Sequence, residues 1–222
     1  DTLNLGTAAF TKTAGTYANS EVATAMTLTS ANGYAASTTR AVGANASEVV
    51  PTAATGTDGF LASNYDITYV SGGLAITQKS LTITSDARST TYGTALVLGT
   101  AAYTQLGLIN SDSISGVTLK QATNSTVPAT QAAGTYSGAT DGILASAAQG
   151  TGLSNYSITY VAGTLTIDRK ALTVTANHDS KTYGDVKTYG SGLTTFTSNG
   201  LANSETIGSV TITDTNLSLI HI

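Results

Sequence analysis

The chain has no cysteine and no tryptophan, only two prolines and a single methionine. Without cysteine, disulfide frameworks and thiolate-bound metal centres are excluded outright. Charge is scarce too. Asp, Glu, Lys and Arg make up 10% of the residues, against about 25% in ordinary soluble domains. The net charge is −4 and the pI is near 4.9. Sparse Lys and Arg argue against nucleic-acid binding, which needs a basic surface. No apolar run approaches the roughly 20 residues of a membrane-spanning helix. Strong helix formers are few. Thr, Ser, Asn and Gly supply the polarity, and 41% of the residues are hydrophobic. Low net charge with that much apolar content favours a folded chain over disorder. Thr and Tyr favour strands while Gly punctuates turns, so the expectation is an all-β protein.

A thirty-residue stretch recurs without a gap. Asn64 to Gly93 reads NYDITYVSGGLAITQKSLTITSDARSTTYG, and Asn155 to Gly184 reads NYSITYVAGTLTIDRKALTVTANHDSKTYG. The spacing is 155 − 64 = 91 positions. A period of about 20–50 residues would signal a solenoid or propeller, whereas about 90 residues can enclose a core of their own. Weaker matches extend the repeat. Leu3 to Thr11 aligns with Leu96 to Thr104, and Asn19-Ser20-Glu21 aligns with Asn110-Ser111-Asp112 and Asn203-Ser204-Glu205. At a shorter offset, Thr57 to Ser63 aligns with Thr140 to Ser146, which sets Pro51-Thr52-Ala53 against Gly134-Thr135-Tyr136.

Within the unit, Tyr65, Ile67 and Tyr69 alternate with polar residues, and Leu74 and Ile76 follow the turn at Ser71-Gly72-Gly73. Tyr156, Ile158 and Tyr160, then Leu165 and Ile167, repeat the arrangement across Ala162-Gly163-Thr164. This period-two pattern predicts two strands joined as a hairpin. The apolar positions then change parity between Ile76 and Leu81, and again between Ile167 and Leu172. A one-residue shift turns side chains to the other face of a strand, so the parity change marks a border where one domain's last strand runs into the next domain's first. Hence the expected division is a partial repeat at 1–79, a complete one at 80–169, a truncated one at 170–216, and a tail at 217–222 foreign to the pattern. With no Met at position 1 and a start inside a repeat, the chain reads as a piece of something longer. The short Asn110-Ser111-Asp112-Ser113-Ile114 segment fits either a helical turn capped by Asn110 or Ser111 or a plain turn.

Each unit opens with Lys-x-Leu-Thr-(Ile/Val)-Thr, at Lys79 to Thr84 and Lys170 to Thr175. Thr91-Tyr92-Gly93 and Thr182-Tyr183-Gly184 follow, with a Gly-Thr-Tyr at 134–136 and then Asn-Tyr-x-Ile-Thr-Tyr-Val. This order resembles the MBG and YDG repeats of large bacterial surface adhesins of the filamentous-haemagglutinin kind. Thr94 stands where the later copy has Asp185, a drift that suits a spacer better than a site. The resemblance implies an extracellular or cell-surface location, a stalk or adhesive role, and no catalytic residues.

The candidate chemistry is thin. The repeated tyrosines, Tyr65 with Tyr156, Tyr69 with Tyr160 and Tyr92 with Tyr183, could form a sugar-binding platform. Their phase with Ile67 and Ile158 favours buried rings with hydroxyls bonded to backbone, and Tyr92 and Tyr183 pin a turn. Asp58 and Asp141 precede Gly, as turn residues do, and no calcium-loop spacing is present. His178 beside Asp179 is a lone imidazole, matched by Ala87 in the preceding copy, and His221 lies in the foreign tail. No Gly-x-Ser-x-Gly elbow or phosphate loop occurs. The expectation is therefore tandem immunoglobulin-like sandwiches, with a β-grasp unit as the alternative and a β-helix third. No catalytic, cofactor-binding or metal residue is assigned, and no enzymatic activity is expected. The expected partners are neighbouring repeats, with glycan or host surface protein as a second reading, in a rod-like spacer of a surface adhesin.

Overall fold

The computed structural model describes residues 2–7 and 10–214; the expected tail at 217–222, with His221, lies outside the described residues. In chain order the strands are β1 (Val22–Ser30), β2 (Gly43–Thr57), β3 (Gly72–Ile76), β4 (Lys79–Ser85), β5 (Arg88–Thr91), β6 (Leu96–Val97), β7 (Tyr103–Leu106), β8 (Ser113–Gln121), β9 (Thr126–Val127), β10 (Gly134–Tyr136), β11 (Ile143–Thr151), β12 (Tyr156–Val161), β13 (Leu165–Asp168), β14 (Thr173–Ala176) and β15 (Phe196–Asn199). One helical turn, α1 (Gly138–Asp141), and short 3-10 turns punctuate them. The fold is all-β, in several small sheets without barrel closure: β1-β2-β3, β10-β13-β5, β11-β8, β12-β4-β7, β14-β15 and β6-β9. No helix among the described residues is long and apolar enough to cross a membrane.

The pairing register restates the repeat in three dimensions. Gly43, Ala44 and Asn45 pair with Ile76, Ala75 and Leu74. Gly134, Thr135 and Tyr136 pair with Ile167, Thr166 and Leu165, every partner displaced by 91. The counterpart of Gly134-Thr135-Tyr136 is therefore Gly43-Ala44-Asn45, not the expected Pro51-Thr52-Ala53. Further on, Val49 pairs with Gly72 and Ile143 with Gly163, an offset of 94 on one side and 91 on the other. Three extra residues thus enter the middle repeat between β10 and β11, where α1 lies. The Thr57-to-Ser63 match with Thr140 to Ser146 is overturned as well. Asp58-Gly59 forms a turn ahead of the 3-10 turn at Ala62–Asn64, while Asp141-Gly142 closes α1.

The expected hairpin is corrected too. β12 belongs with β4 and β7, whereas β13 belongs with β10 and β5. Period two reports that a segment is a half-buried strand but carries no information about its partner. β13 runs parallel to β5, with Leu165 opposite Arg88. The parity change from Ile76 to Leu81 coincides with a change of sheet, since β3 pairs with β2 and β4 with β12 and β7.

Contacts cluster into two compact units. One comprises Asp1–Thr82, Gln105–Ser115 and Gln149–Thr159; the other comprises Ile83–Thr104, Gly116–Ala148 and Tyr160–Ile222. This division passes through the middle repeat. In the second unit, Ile83, Leu98, Leu119, Val127, Ile143 and Leu165 are fully buried. In the first, Leu28, Val49 and Leu74, the counterparts of Leu119, Ile143 and Leu165, are only half-buried.

Candidate functional site

The Asn-Ser-acid triplets build one local structure three times. Asn19 and Ser20 have φ of 48° and 64°, Asn110 and Ser111 have 56° and 62°, and Asn203 and Ser204 have 50° and 61°. Glu21 donates its N–H to the Ala18 carbonyl at 2.9 Å, Asp112 to Ile109 at 3.0 Å, and Glu205 to Ala202 at 2.9 Å. Positive φ at both central residues, with that closing bond, is the type I′ turn. Asn enters this left-handed region more readily than most side chains. Of the two readings open for the segment at Asn110, the plain turn is therefore the one adopted, and β8 begins directly after it.

The turn presents an acid to a tyrosine. In the first unit, the Tyr65 hydroxyl donates to the Glu21 carboxylate and accepts the Ala18 N–H at 3.1 Å. In the middle repeat, the Tyr156 hydroxyl donates to Asp112 at 2.8 Å and accepts the Ile109 N–H at 3.0 Å. One phenol thus closes both ends of the same turn. The bond to Glu21 holds the Tyr65 hydroxyl above the usual phenol range. For Tyr156, burial is the main cause of an upward shift, supported by the Asp112 carboxylate.

A second tyrosine staple recurs on the long strands. Ala53 and Ala147 have φ of 49° and 47°. In the first repeat this is where the β1–β2 register slips, a β-bulge. The N–H of the next residue, Ala54, donates to the Tyr69 hydroxyl at 2.9 Å, and that of Ala148 to Tyr160 at 3.0 Å. A bulge leaves such an N–H without its ladder partner, and the phenol supplies one. The expected bonding of tyrosine hydroxyl to backbone is what the structure shows at 65, 69, 156 and 160. Burial of the rings is not uniform: Tyr156 is 3% exposed, whereas Tyr69 is 37% exposed.

The turns also reach the preceding repeat. Asn110 donates its side-chain amide to the Thr38 carbonyl, and Asn203 donates to the Ala129 carbonyl at 3.1 Å. Thr38 and Ala129 are themselves 91 positions apart, so the same bond is made at two successive joints. At the first joint, the Val42 N–H also donates to Asn155 Oδ1 at 3.0 Å, and Gln78 donates to the Ser154 carbonyl at 3.1 Å. At the second, Gly93 donates its N–H to Ala129 at 3.0 Å, and the Tyr92 hydroxyl donates to Glu205. Tyr92 thus reaches across to the next turn, a role its position before Gly did not reveal. Gly93 is required there: with φ of +90°, a Cβ would sit 2.7 Å from the Ala202 Cβ. Tyr183, its counterpart, is fully exposed, and Gly184 has nothing nearby.

The remaining candidates stand apart from this joint. The Asp58 carboxylate accepts the Thr57 hydroxyl at 3.0 Å, and Asp141 ends α1. His178 is exposed. Its neighbour Asp179 is paired to Lys187, which lowers its pKa. No group of three or more His, Cys, Asp or Glu that could hold a metal occurs among the described residues.

Residues 81–166 match the MBG domain family, YGX type. The matched segment spans most of the middle repeat, from β4 to β13, and contains Tyr92-Gly93. No curated protein and no solved structure matches the chain. The matched segment contains one complete turn, Ile109 to Asp112, and the stapling tyrosines Tyr156 and Tyr160.

One polar residue outside the repeat pattern escaped sequence reading. Glu48 is fully buried. Its carboxylate accepts the Ser30 hydroxyl, the Asn32 side-chain amide at 2.9 Å and the Tyr34 N–H at 3.0 Å. Burial alone pushes its pKa up, but the hydrogen bonds together outweigh it and hold the carboxyl below the usual range. A polar run at Asn45-Ala46-Ser47-Glu48 reads as surface, so no sequence signal pointed to it.

Proposed function

We propose that this chain is a non-catalytic spacer segment of a secreted or cell-surface bacterial adhesin, its repeats joined end to end through the Asn-Ser-acid turns. The observation that carries this reading is the joint bond made twice, Asn110 to Thr38 and Asn203 to Ala129. A contact repeated with the period of the sequence lets each unit dock on its neighbour by the same rule. Stability then sums over units and neighbour contacts, and reach grows with copy number. The MBG match at residues 81–166 supports the adhesin context. Small-angle scattering on chains with increasing numbers of the 80–169 repeat tests it: the maximum dimension should rise in equal steps. A dimension that levels off would sink the spacer reading.

A second reading, glycan or matrix-protein capture by the repeats, draws on the partly exposed ring of Tyr69. The hydroxyl there is committed to Ala54, which leaves the ring face for sugar stacking. Glycan-array binding that disappears in Tyr69→Ala and Tyr160→Ala would favour capture over the spacer.

A further inference from the structure

The loop between β1 and β2 carries two main-chain groups of the first joint. The Thr38 carbonyl accepts the Asn110 amide, and the Val42 N–H donates to Asn155 Oδ1 at 3.0 Å. What holds the start of that loop is the buried carboxylate of Glu48. Its donors come from the end of β1 and the residues that follow. The carboxylate accepts the Ser30 hydroxyl, the Asn32 N–H at 3.3 Å, the Asn32 side-chain amide at 2.9 Å and the Tyr34 N–H at 3.0 Å. The Glu48 carbonyl accepts the Ala31 N–H at 2.8 Å.

The grip continues from Tyr34 to the joint. The Arg40 guanidinium lies over the Tyr34 ring, 4.1 Å from its centre, and donates to Asn45 Oδ1 at 2.9 Å. Between them the Ser37 hydroxyl accepts the N–H groups of Thr39 and Arg40 at 3.3 and 3.1 Å. Thr38 is thus flanked by two anchors, Tyr34 and Arg40, and the first is tied to Glu48. β1 and β3 contain no charged residue, so Tyr34 and Arg40 are the titratable and charged side chains that the elements around Glu48 supply. Protonation would turn one carboxylate oxygen from acceptor into donor, facing hydroxyl and N–H groups that then lose their acceptor.

The second joint is supported differently. Val49 pairs with Gly72 as Ile143 pairs with Gly163, so Gly142 stands in the place of Glu48. A Cβ there would lie 2.5 Å from the Gly163 carbonyl oxygen, which leaves no room for a carboxylate. Gln121 stands in the place of Ser30 and donates its amide to the Asp141 carbonyl at 3.2 Å. Residues 121–134, which include Ala129, carry no charged side chain. Neutral hydrogen bonds hold this loop.

We infer that Glu48 is an acid-sensitive clamp on the first joint: ionised, it holds the loop that presents Thr38 and Val42, and protonated, it releases that loop while the bond from Asn203 to Ala129 stays closed. The sign agrees with a carboxyl held below its usual range by hydrogen bonds. Such a group stabilises the fold above its unfolded pKa, and the stabilisation is lost as pH falls through the lower folded value. Acid therefore frees one joint of the two. The inference stands on the hydrogen bonds around Glu48 and not on the spacer reading.

Both turns carry an acid of their own, Asp112 or Glu205, so the first test is made at neutral pH with Glu48→Gln, which replaces one acceptor oxygen by a donor as protonation does. Exchange is followed by NMR on the 222-residue chain. The Val42 amide should exchange about tenfold faster in the variant, and the side-chain amide of Asn110 should also exchange faster, whereas that of Asn203 should keep its rate. Amides of the β1–β2 ladder should lose less protection than Val42. A second measurement needs no variant. In the unaltered chain, protection at Val42, corrected for the intrinsic rate, should fall between about pH 5 and about pH 3, ahead of the ladder. Unchanged exchange at Val42 in Glu48→Gln, equal loss throughout the β1–β2 ladder, or equal loss at Asn203 would overturn the inference.

Discussion

The side-chain amide of Asn203 donates to the main-chain carbonyl of Ala129, 74 residues upstream. The same carbonyl accepts the Gly93 N–H, so one oxygen gathers the Thr-Tyr-Gly turn of one repeat and the Asn-Ser-acid turn of the next. Replacing Asn203 separates its two roles. Asn203→Asp keeps a side chain suited to φ of 50° but cannot donate, and should weaken the joint by about 1 kcal/mol. Asn203→Ala loses the bond and also strains the turn, adding about 1–2 kcal/mol. Hydrogen exchange at residues 202–205 is the measurement. Equal effects of the two variants would show that the turn adds no strain, and an Asn203→Asp chain indistinguishable from the unaltered one would show that the amide bond contributes nothing.

The tyrosine staples differ in burial, and their phenylalanine variants should differ in proportion. Tyr156→Phe removes the partner of both the Ile109 N–H and the Asp112 carboxylate in a site where the ring is 3% exposed. Two groups lose their partner at once, at a cost of about 1–3 kcal/mol in all, so its urea midpoint should fall below that of the unaltered chain. Tyr69→Phe frees only one group, the Ala54 N–H, beside a ring that is partly exposed. Its midpoint should fall less.

Much of this was legible in advance, and what was not has identifiable physical causes. The all-β class followed from Thr, Tyr and Gly content, and the repeat unit from the match between Asn64 to Gly93 and Asn155 to Gly184. Strand partners were hidden. Tyr156, Ile158 and Tyr160 alternate just as a hairpin strand does, yet β12 pairs with β4. Alternation records which face is buried, whereas the partner depends on contacts distant in sequence. The tyrosines were recognisable as repeated, but the donors that meet their hydroxyls, Ala54 and Ala148, are apolar residues whose N–H groups are freed only by a left-handed neighbour. Glu48 was missed because its three donors, Ser30, Asn32 and Tyr34, come from the far end of β1 and the turn beyond it.

Glu48 gives the first repeat a dependence on acid. Its folded-state pKa lies below the ordinary value, so the ionised form is favoured by folding. That stabilisation is present above the unfolded pKa of about 4.3 and disappears as pH falls through the lower folded value. The urea midpoint of the first repeat should therefore drop from pH 5 toward pH 3, as followed by exchange at residues 30–34. Glu48→Gln should lower the midpoint at neutral pH and flatten that drop. A variant with the same acid profile as the unaltered chain would show that the carboxylate does not carry the effect.

Two glycines hold corresponding places where strands approach too closely for any side chain. A Cβ on Gly56 would lie 2.0 Å from the Val22 carbonyl oxygen, and one on Gly150 would lie 1.9 Å from that of Ser113. Neither glycine has a positive φ, so the requirement comes from space rather than from backbone conformation. The obstacle is backbone in a paired strand, which cannot swing aside as a side-chain tip can. Gly150→Ala must therefore open the β8–β11 pairing locally, at a cost of about 1–3 kcal/mol. Gly56→Ala should behave alike on β1–β2. Gly190 also lacks a positive φ, and a Cβ there would meet nothing within 4 Å. Gly190→Ala should leave the thermal midpoint unchanged or raise it slightly through lower unfolded-state entropy. Thermal unfolding of the three single variants decides the matter. A Gly150→Ala protein as stable as Gly190→Ala would mean that the strands part without cost, which the pairing of β8 with β11 argues against.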